Sequence, residues 1–142
     1  MVRCESIDLS LDAPPGWEDR SVIVLMGPQE EGQAVRPNVA ITRDVPKPNE
    51  SLSQYADRQL VEMAKQLDGF NLIARRQSTI GGVAGMEFVI TWNGGTSLLQ
   101  QKVVLVLSGR LKAYSIAGTS SKDEYNRLEA TFDSIIRSII LK

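Results

Sequence analysis

Four glutamines are the residues of this chain whose type and setting point to a chemical task. Gln100 and Gln101 interrupt an otherwise apolar run, LLQQKVVLVL, and Gln59 and Gln66 stand one heptad apart along an amphipathic stretch. A primary amide donates and accepts at once and carries no charge to desolvate, so it suits hydrogen bonding to a mostly apolar partner. Bond-making side chains are scarce. The chain has no histidine, which removes Ser-His-Asp and Cys-His catalysis and the usual zinc sites. Cys4 is the single cysteine, so neither an intrachain disulfide nor a thiolate cluster can form. An acid–base enzyme would have to use Asp44, Glu50 and Asp57, which read as loop and helix-surface charges, and no glycine-rich phosphate loop accompanies them. The pattern is that of a binding protein with no catalytic residues, no cofactor and no metal.

At 142 residues the length suits one domain spanning 1–142 with a sizeable core. Lys plus Arg total 16 against 17 for Asp plus Glu, with both signs interspersed. Without a basic stripe, nucleic acid is not an expected partner; Arg75-Arg76 is too short to be one. No run approaches the roughly 18 apolar residues of a membrane span. The N-terminal MVRCESIDLSLDAPPGW lacks a signal-peptide core, and no apolar segment precedes Cys4 to accompany a lipid anchor. The expectation is a soluble intracellular protein.

The glutamines must be held by helices and strands. Ser51–Phe70 reads as one amphipathic helix with Leu52, Tyr55, Ala56, Leu60, Met63 and Leu67 at helical spacing. Ser51 and Gln54 form a capping box, and Asp68-Gly69 is the stop. Before it, Cys4–Leu11 alternates as a half-buried strand, and Asp12–Trp17 is a loop with a buried aromatic. Ser21–Met26 (SVIVLM) is a strand apolar on both sides, and Pro37–Arg43 is a further short one. After it comes a meander: Phe70–Ile80, a Gly81-Gly82 hairpin turn, Val83–Trp92, a turn at Asn93-Gly94-Gly95, Ser97–Leu107, a turn at Ser108-Gly109-Arg110, and Leu111–Thr119. A last helix carries Tyr125, Leu128, Phe132, Ile135, Ile136 and Ile139 to the C-terminus. Strands, helix, four-strand meander and helix make an α+β domain with an antiparallel sheet packed by helices.

Several strands are apolar on both sides. Ala84, Met86, Phe88, Ile90 and Trp92 share one face, with Val83, Gly85, Glu87, Val89 and Thr91 opposite; SVIVLM has no polar face. An antiparallel sheet with one wet face normally alternates cleanly. Three arrangements account for the pattern: a sheet covered on both faces by its own helices, a dimer interface, or an apolar groove for an external hydrophobic segment with glutamines along it.

The stretches ITRD (Ile41–Asp44), SLSQYADRQL (Ser51–Leu60), KQLDGF (Lys65–Phe70), Gly82-Val83-Ala84 and LQQKV (Leu99–Val103) resemble the DcrB-like family. More narrowly, they resemble the effector-associated (Eag) chaperones of bacterial type VI secretion. The resemblance runs through nearly the whole chain in order and spacing. It implies a PsbP-like fold, an α/β/α sandwich with a curved antiparallel sheet flanked by helices. It also implies a cytoplasmic chaperone, usually a homodimer, that shields the N-terminal transmembrane helices of a secreted effector until loading onto the secretion spike. Carried over by position, Val22 and Val24 would line the groove, Gln59 would be the helix glutamine, Leu67 an apolar wall and Gln101 the strand glutamine. Because Gln100 is adjacent, a slip of one residue would put it on that face instead. Relatives with isoleucines in the first groove strand have valines as their counterparts here, and where some relatives carry a Pro-rich tail this sequence runs to Lys142 as an expected helix, so a spike contact through such a tail is not carried over. The alternative is a generic DcrB-like or PsbP-like interaction module with another protein partner.

Overall fold

Ser51 opens the first helix by the reciprocal exchange its spacing predicts. Its hydroxyl accepts from the Gln54 N–H at 3.1 Å, and the Gln54 side-chain carbonyl accepts from the Ser51 N–H at 2.9 Å. In the computed structural model, which describes residues 2–5, 9–109 and 112–141, this helix is α1, Leu52–Gln66. It is shorter than the expected Ser51–Phe70. Leu67 is already extended, its N–H on the Met63 carbonyl at 2.9 Å, and Gly69, at φ +65°, turns the chain beyond the helix rather than capping it.

Among the described residues eight strands flank α1 in the chain: β1 (Val2–Glu5), β2 (Ser10–Ala13), β3 (Ile23–Met26), β4 (Asn38–Asp44), β5 (Asn71–Ile80), β6 (Val83–Asn93), β7 (Leu98–Leu107) and β8 (Ala113–Ser121). A second helix, α2, follows at Lys122–Arg137. Six strands form one open antiparallel sheet in the order β3-β4-β8-β7-β6-β5. The meander β5 to β8 is the one expected, and Gly81-Gly82, at φ +54° and +80°, makes its first tight turn. In the turn before β8, Arg110 and Leu111 lie outside the described residues.

Three expectations give way. The single strand Cys4–Leu11 is a hairpin instead: β1 pairs β2 with Cys4 opposite Leu11, while Ser6, Ile7 and Asp8 lie outside the described residues. Alternation within a window cannot distinguish one strand from two paired ones. Trp17 is 73% exposed, not buried. The last helix stops at Arg137, where the Ser138 hydroxyl donates to the Ile135 carbonyl at 2.6 Å, and Ile139 and Leu141 reach the core from outside the helix. Among the described residues no helix is long and apolar enough to cross a membrane.

The two helices take opposite faces of the sheet. Tyr55 and Ala56 of α1 pack with Met86, Phe88, Ile90, Val103 and Leu105, and Leu52, Leu60, Met63 and Leu67 border them. Tyr125, Phe132 and Ile136 of α2 pack with Val89, Val104, Val106 and Ile116 on the other side. This explains why β6 and β7 are apolar on both faces: each face meets a helix. Gly118 permits the α2 contact, since a Cβ there would stand 2.7 Å from the Phe132 ring.

A charge is buried under α2. Lys102, 3% exposed, donates to Asp133 at 2.7 Å and lies 3.3 Å from Glu129 and 4.0 Å from Glu87. Burial opposes its charge, but the Asp133 hydrogen bond and the surrounding carboxylates outweigh burial and hold Lys102 above its ordinary range. Replacing Lys102 with Met should cost about 2–4 kcal/mol at pH 7, because three carboxylates then share a site with no central cation. Urea unfolding of the Lys102→Met protein at pH 7 checks this.

Candidate functional site

The sheet ladder shows which residues share the α1 face. Directly opposed residues of antiparallel strands point to the same side. Val24 lies opposite Ala40, Ala40 opposite Ala117, Ala117 opposite Val103 and Val103 opposite Phe88. Phe88 and Val103 lie under α1, so the whole row does. On one side of it runs Met26, Asn38, Thr119, Gln101 and Ile90; on the other run Thr42, Ser115, Leu105 and Met86.

α1 packs chiefly over β6 and β7, with Ala113 and Ala117 of β8 at the border of that cluster and Tyr55 reaching Asp44 on β4. The α1 face of β8 and β4 carries no helix and is made of small or short polar side chains: Ser115, Ala117 and Thr119, then Asn38, Ala40 and Thr42. Beyond them the apolar side chains of β3 rise again. The result is a trough with α1 as one wall, β3 as the other and a low floor two strands wide. Strands about 4.8 Å apart give that floor a width near 10 Å, about the diameter of a helix. The seven paired residues of β4 and β8 make the floor about 23 Å long, and the four residues of β3 wall about 13 Å of it.

The α1 wall is locked in place at its N-terminal half. Arg58 donates two hydrogen bonds of 2.8 Å to Glu50, and its guanidinium carbon lies 5.2 Å from the centre of the Tyr55 ring. The Tyr55 hydroxyl donates to Asp44 on β4 at 3.0 Å, and Tyr55 titrates above its ordinary range, first through burial and then through that bond. On its other side α1 is tied to β5 by Arg75 and Asp57. The three carboxylates considered for acid–base work, Asp44, Glu50 and Asp57, are thus each held in a pairing that positions α1. Among the described residues no group of His, Cys, Asp and Glu could hold a metal ion.

Val24, Gln59, Leu67 and Gln101 fall on this side of the sheet, and Val22 precedes the β3 wall. Val24 projects from β3 onto the trough at 51% exposure, with Val22 just before the strand at 55%. Gln59 belongs to the i, i+4 row Tyr55, Gln59, Met63, Leu67; Tyr55 of that row reaches β4, so the row faces the floor. Gln59 is half-buried, and its amide has no partner among the described residues, whereas Gln66 is exposed. Leu67 borders the core beneath α1, and Gln101 is on the α1 face with Gln100 on the other. Gln101 donates to Thr119 Oγ1 at 2.8 Å. The floor itself escaped the sequence reading, because β4 and β8 pair across some seventy intervening residues. Its only local signal is the absence of a large side chain at alternate positions 38–40–42 and 115–117–119.

SVIVLM, apolar on both sides, is an edge strand exposed on both sides, with Leu25 at 43% and Ile23 at 40% away from the trough. The opposite edge is different: β5 carries Arg75 and Arg76, paired to Asp57 and Glu87, charges that blunt a free edge. On the α2 face, a concavity of about 630 Å3 lies between Ile23, Ile41, Tyr114 and the Ile139–Leu141 tail, and none of the five residues lines it.

The DcrB family profile matches residues 8–138. Effector EagT6 of Pseudomonas aeruginosa is 29% identical over 99 residues, 69% of this chain and 68% of that protein. A solved Pseudomonas aeruginosa protein of unknown function, a putative regulator, aligns at TM-score 0.85 with 20% identity, over 100% of this chain and 97% of its own. Cyanobacterial PsbP from Synechocystis aligns at 0.53 with 10% identity, over 80% and 78% of the two chains. At these identities the solved structures speak to the fold alone, which is PsbP-like.

The Arg58 clamp holds the Glu50 carboxyl at about 2, below its ordinary 4.5. A depressed carboxylate stabilises the fold above its unfolded value, and that contribution is lost as pH falls from about 4.5 toward 2. Glu50→Gln should therefore narrow the stability difference between pH 7 and pH 2.5 in urea unfolding. An unchanged difference would mean that the clamp does not contribute to acid stability.

Proposed function

This chain belongs to the DcrB family, and from that premise we propose that it is a cytoplasmic chaperone that shields the transmembrane helices of a type VI secretion effector before export. The observation that carries the reading is the helix-sized trough beside α1. Its walls are apolar, its floor is low, and an amide stands on each side. Val22, Val24 and Leu67 supply apolar contact, and Gln59 and Gln101 meet polar groups that a membrane helix exposes. The resemblance to Eag chaperones and the 29% identity to Effector EagT6, which shares the Eag designation, support the same direction.

The physical logic is one of solvent. An apolar helix about 20 residues long would aggregate in water, and covering several hundred Å2 of it at about 25 cal/mol per Å2 is a strong drive. Small floor residues let the client backbone come close, as small residues do where membrane helices pack together. Residues 1–142 act in this reading as a single DcrB-like unit, with no cofactor, which hands its client on to the secretion spike.

The protein works as a homodimer in this proposal, joined at β3. Five consecutive apolar residues, Val22 to Met26, are exposed along an unpaired edge, and a second copy is the covering that the edge itself can template. Twofold antiparallel pairing centred on Val24 keeps every side chain on its own face and joins two troughs into one. Leu25→Glu, on the face away from the trough, should reduce the solution mass from twice 15.6 kDa to 15.6 kDa in light scattering. A dimer that survives this change is joined elsewhere.

Affinity purification from the native host should recover an effector with apolar N-terminal helices. Ala40→Phe, which fills the half-buried floor, and Val24→Asp, on an exposed strand, should each abolish recovery while leaving the far-ultraviolet circular dichroism unchanged. Leu67→Asp is a poorer probe, since Leu67 borders the core. Recovery of a partner with no apolar helices, or undiminished recovery by the Ala40→Phe protein, would overturn the proposal.

A further inference from the structure

The trough has a direction as well as a shape. Its floor ends at Asp44 and Ala113 on one side and at Asn38 and Thr119 on the other. α1 runs beside it from the first end to the second. Tyr55, near the start of α1, bonds to Asp44; just past its last turn, the Asp68 carbonyl accepts from the Asn93 N–H at 2.8 Å, beyond Ile90 in the Asn38–Thr119 row. A helix carries partial positive charge at its N-terminus and negative charge at its C-terminus. No acidic residue stands in the first turn of α1, and Lys65, the basic residue of its last turn, lies 3.9 Å from Glu62.

Side-chain charges repeat this polarity. Lys47 and Lys112 flank the Asp44–Ala113 end, exposed and without a salt bridge among the described residues. Other charges there are matched, Arg58 by Glu50, Arg43 by Asp19 and Arg20 by Glu18, while Asp44 accepts from Tyr55. At the Asn38–Thr119 end, the β3–β4 connection, the start of α2 and the residue after Leu67 bring Glu30, Glu31, Asp123, Glu124 and Asp68 against Arg36, Lys122 and Arg127. Arg127 is shared between Glu30 and Glu124, so the excess at this end is acidic.

We infer that the trough orients its client: the helix lies antiparallel to α1, with its N-terminus at the Asn38–Thr119 end, and the site favours helices whose basic flank is N-terminal. This rests on the chaperone reading and deepens it. Antiparallel packing sets the positive end of the client beside the negative end of α1. Membrane helices carry lysine and arginine mainly on one flank, and an N-terminal basic flank then meets the acidic end and avoids Lys47 and Lys112. A floor of about 23 Å spans about 15 helical residues, so the two flanks of a client reach these charges.

Two end-blocked leucine–alanine peptides of about 15 apolar residues test this, one with a run of lysines before the apolar segment and one with the same run after it. The wild-type protein should bind the first about 2- to 5-fold more tightly, the range of one charge–dipole contact, and the difference should shrink as salt is raised. A nitroxide at the N-terminus of that peptide should broaden the amide resonances of Asn38 and Thr119 and spare those of Asp44 and Ala113. Exchanging the charges at both ends (Lys47→Glu, Lys112→Glu, Glu31→Lys and Asp68→Lys, all exposed) keeps the net charge and should remove the preference with the thermal midpoint unchanged. Equal binding of the two peptides by the wild-type protein, broadening of Asp44 and Ala113 by the N-terminal label, or an undiminished preference in the exchanged protein would overturn the inference and leave the chaperone reading standing. Failure of the wild-type protein to bind either peptide would overturn both.

Discussion

A helix is about 10 Å across and six paired strands are about 24 Å across, so one helix on each face cannot cover this sheet. That mismatch of widths is the constraint behind the rest of the molecule. On one face α2, with the Ile139–Leu141 tail behind it, closes much of the available surface. On the other, α1 lies over β6 and β7 and no second element follows, so β8, β4 and β3 are left without a helix. Such exposed surface is ordinarily costly. Here its cost is limited by composition: the floor is alanine, serine, threonine and asparagine, and the large apolar residues are confined to the β3 edge.

The position of α1 decides whether the trough exists. A slide of one strand toward β4 would place α1 on Ala117 and Ala40 and close the floor. Three tethers oppose the slide: Tyr55 to Asp44 on the open side, the Glu50–Arg58 clamp at the start of the helix, and Arg75 to Asp57 on the far side. Each of these groups is held in a pairing, and they include the three carboxylates an enzyme reading would have picked out. The other buried charge, Lys102, plays a similar part beneath α2, next in the chain to Gln101. Strand alternation thus puts the groove amide and the α2 anchor on opposite faces through neighbouring residues.

Periodicity made much of this fold legible. Five residues of the α1 stripe, Leu52 to Met63, the Gly81-Gly82 turn, the turn at Asn93-Gly94-Gly95 and the double-sided strands β6 and β7 all follow from local spacing, and each appears where it was expected. Local reading failed where a boundary depended on something distant. Cys4–Leu11 alternates well enough for one strand, yet its two ends pair with one another. Trp17 suited burial by type but has no partner surface there. The apolar run SVIVLM suited burial on both faces, and it forms an open edge because, among the described residues, no strand pairs beyond it and no helix covers it.

The sequence by itself determined most of the elements, the α+β class, the absence of histidine chemistry and, through family resemblance, Val24, Gln59, Leu67 and Gln101, which share one side of the sheet. It left Gln100 and Gln101 undecided, because register is a relation between strands and a slip of one residue exchanges the faces. Tertiary structure settled that choice by placing Gln101 beside Thr119 on the α1 face. It alone also made the floor, since Ala40 and Ala117 become neighbours only when β4 and β8 pair. Side-chain type is local, whereas an empty space is defined by everything that surrounds it.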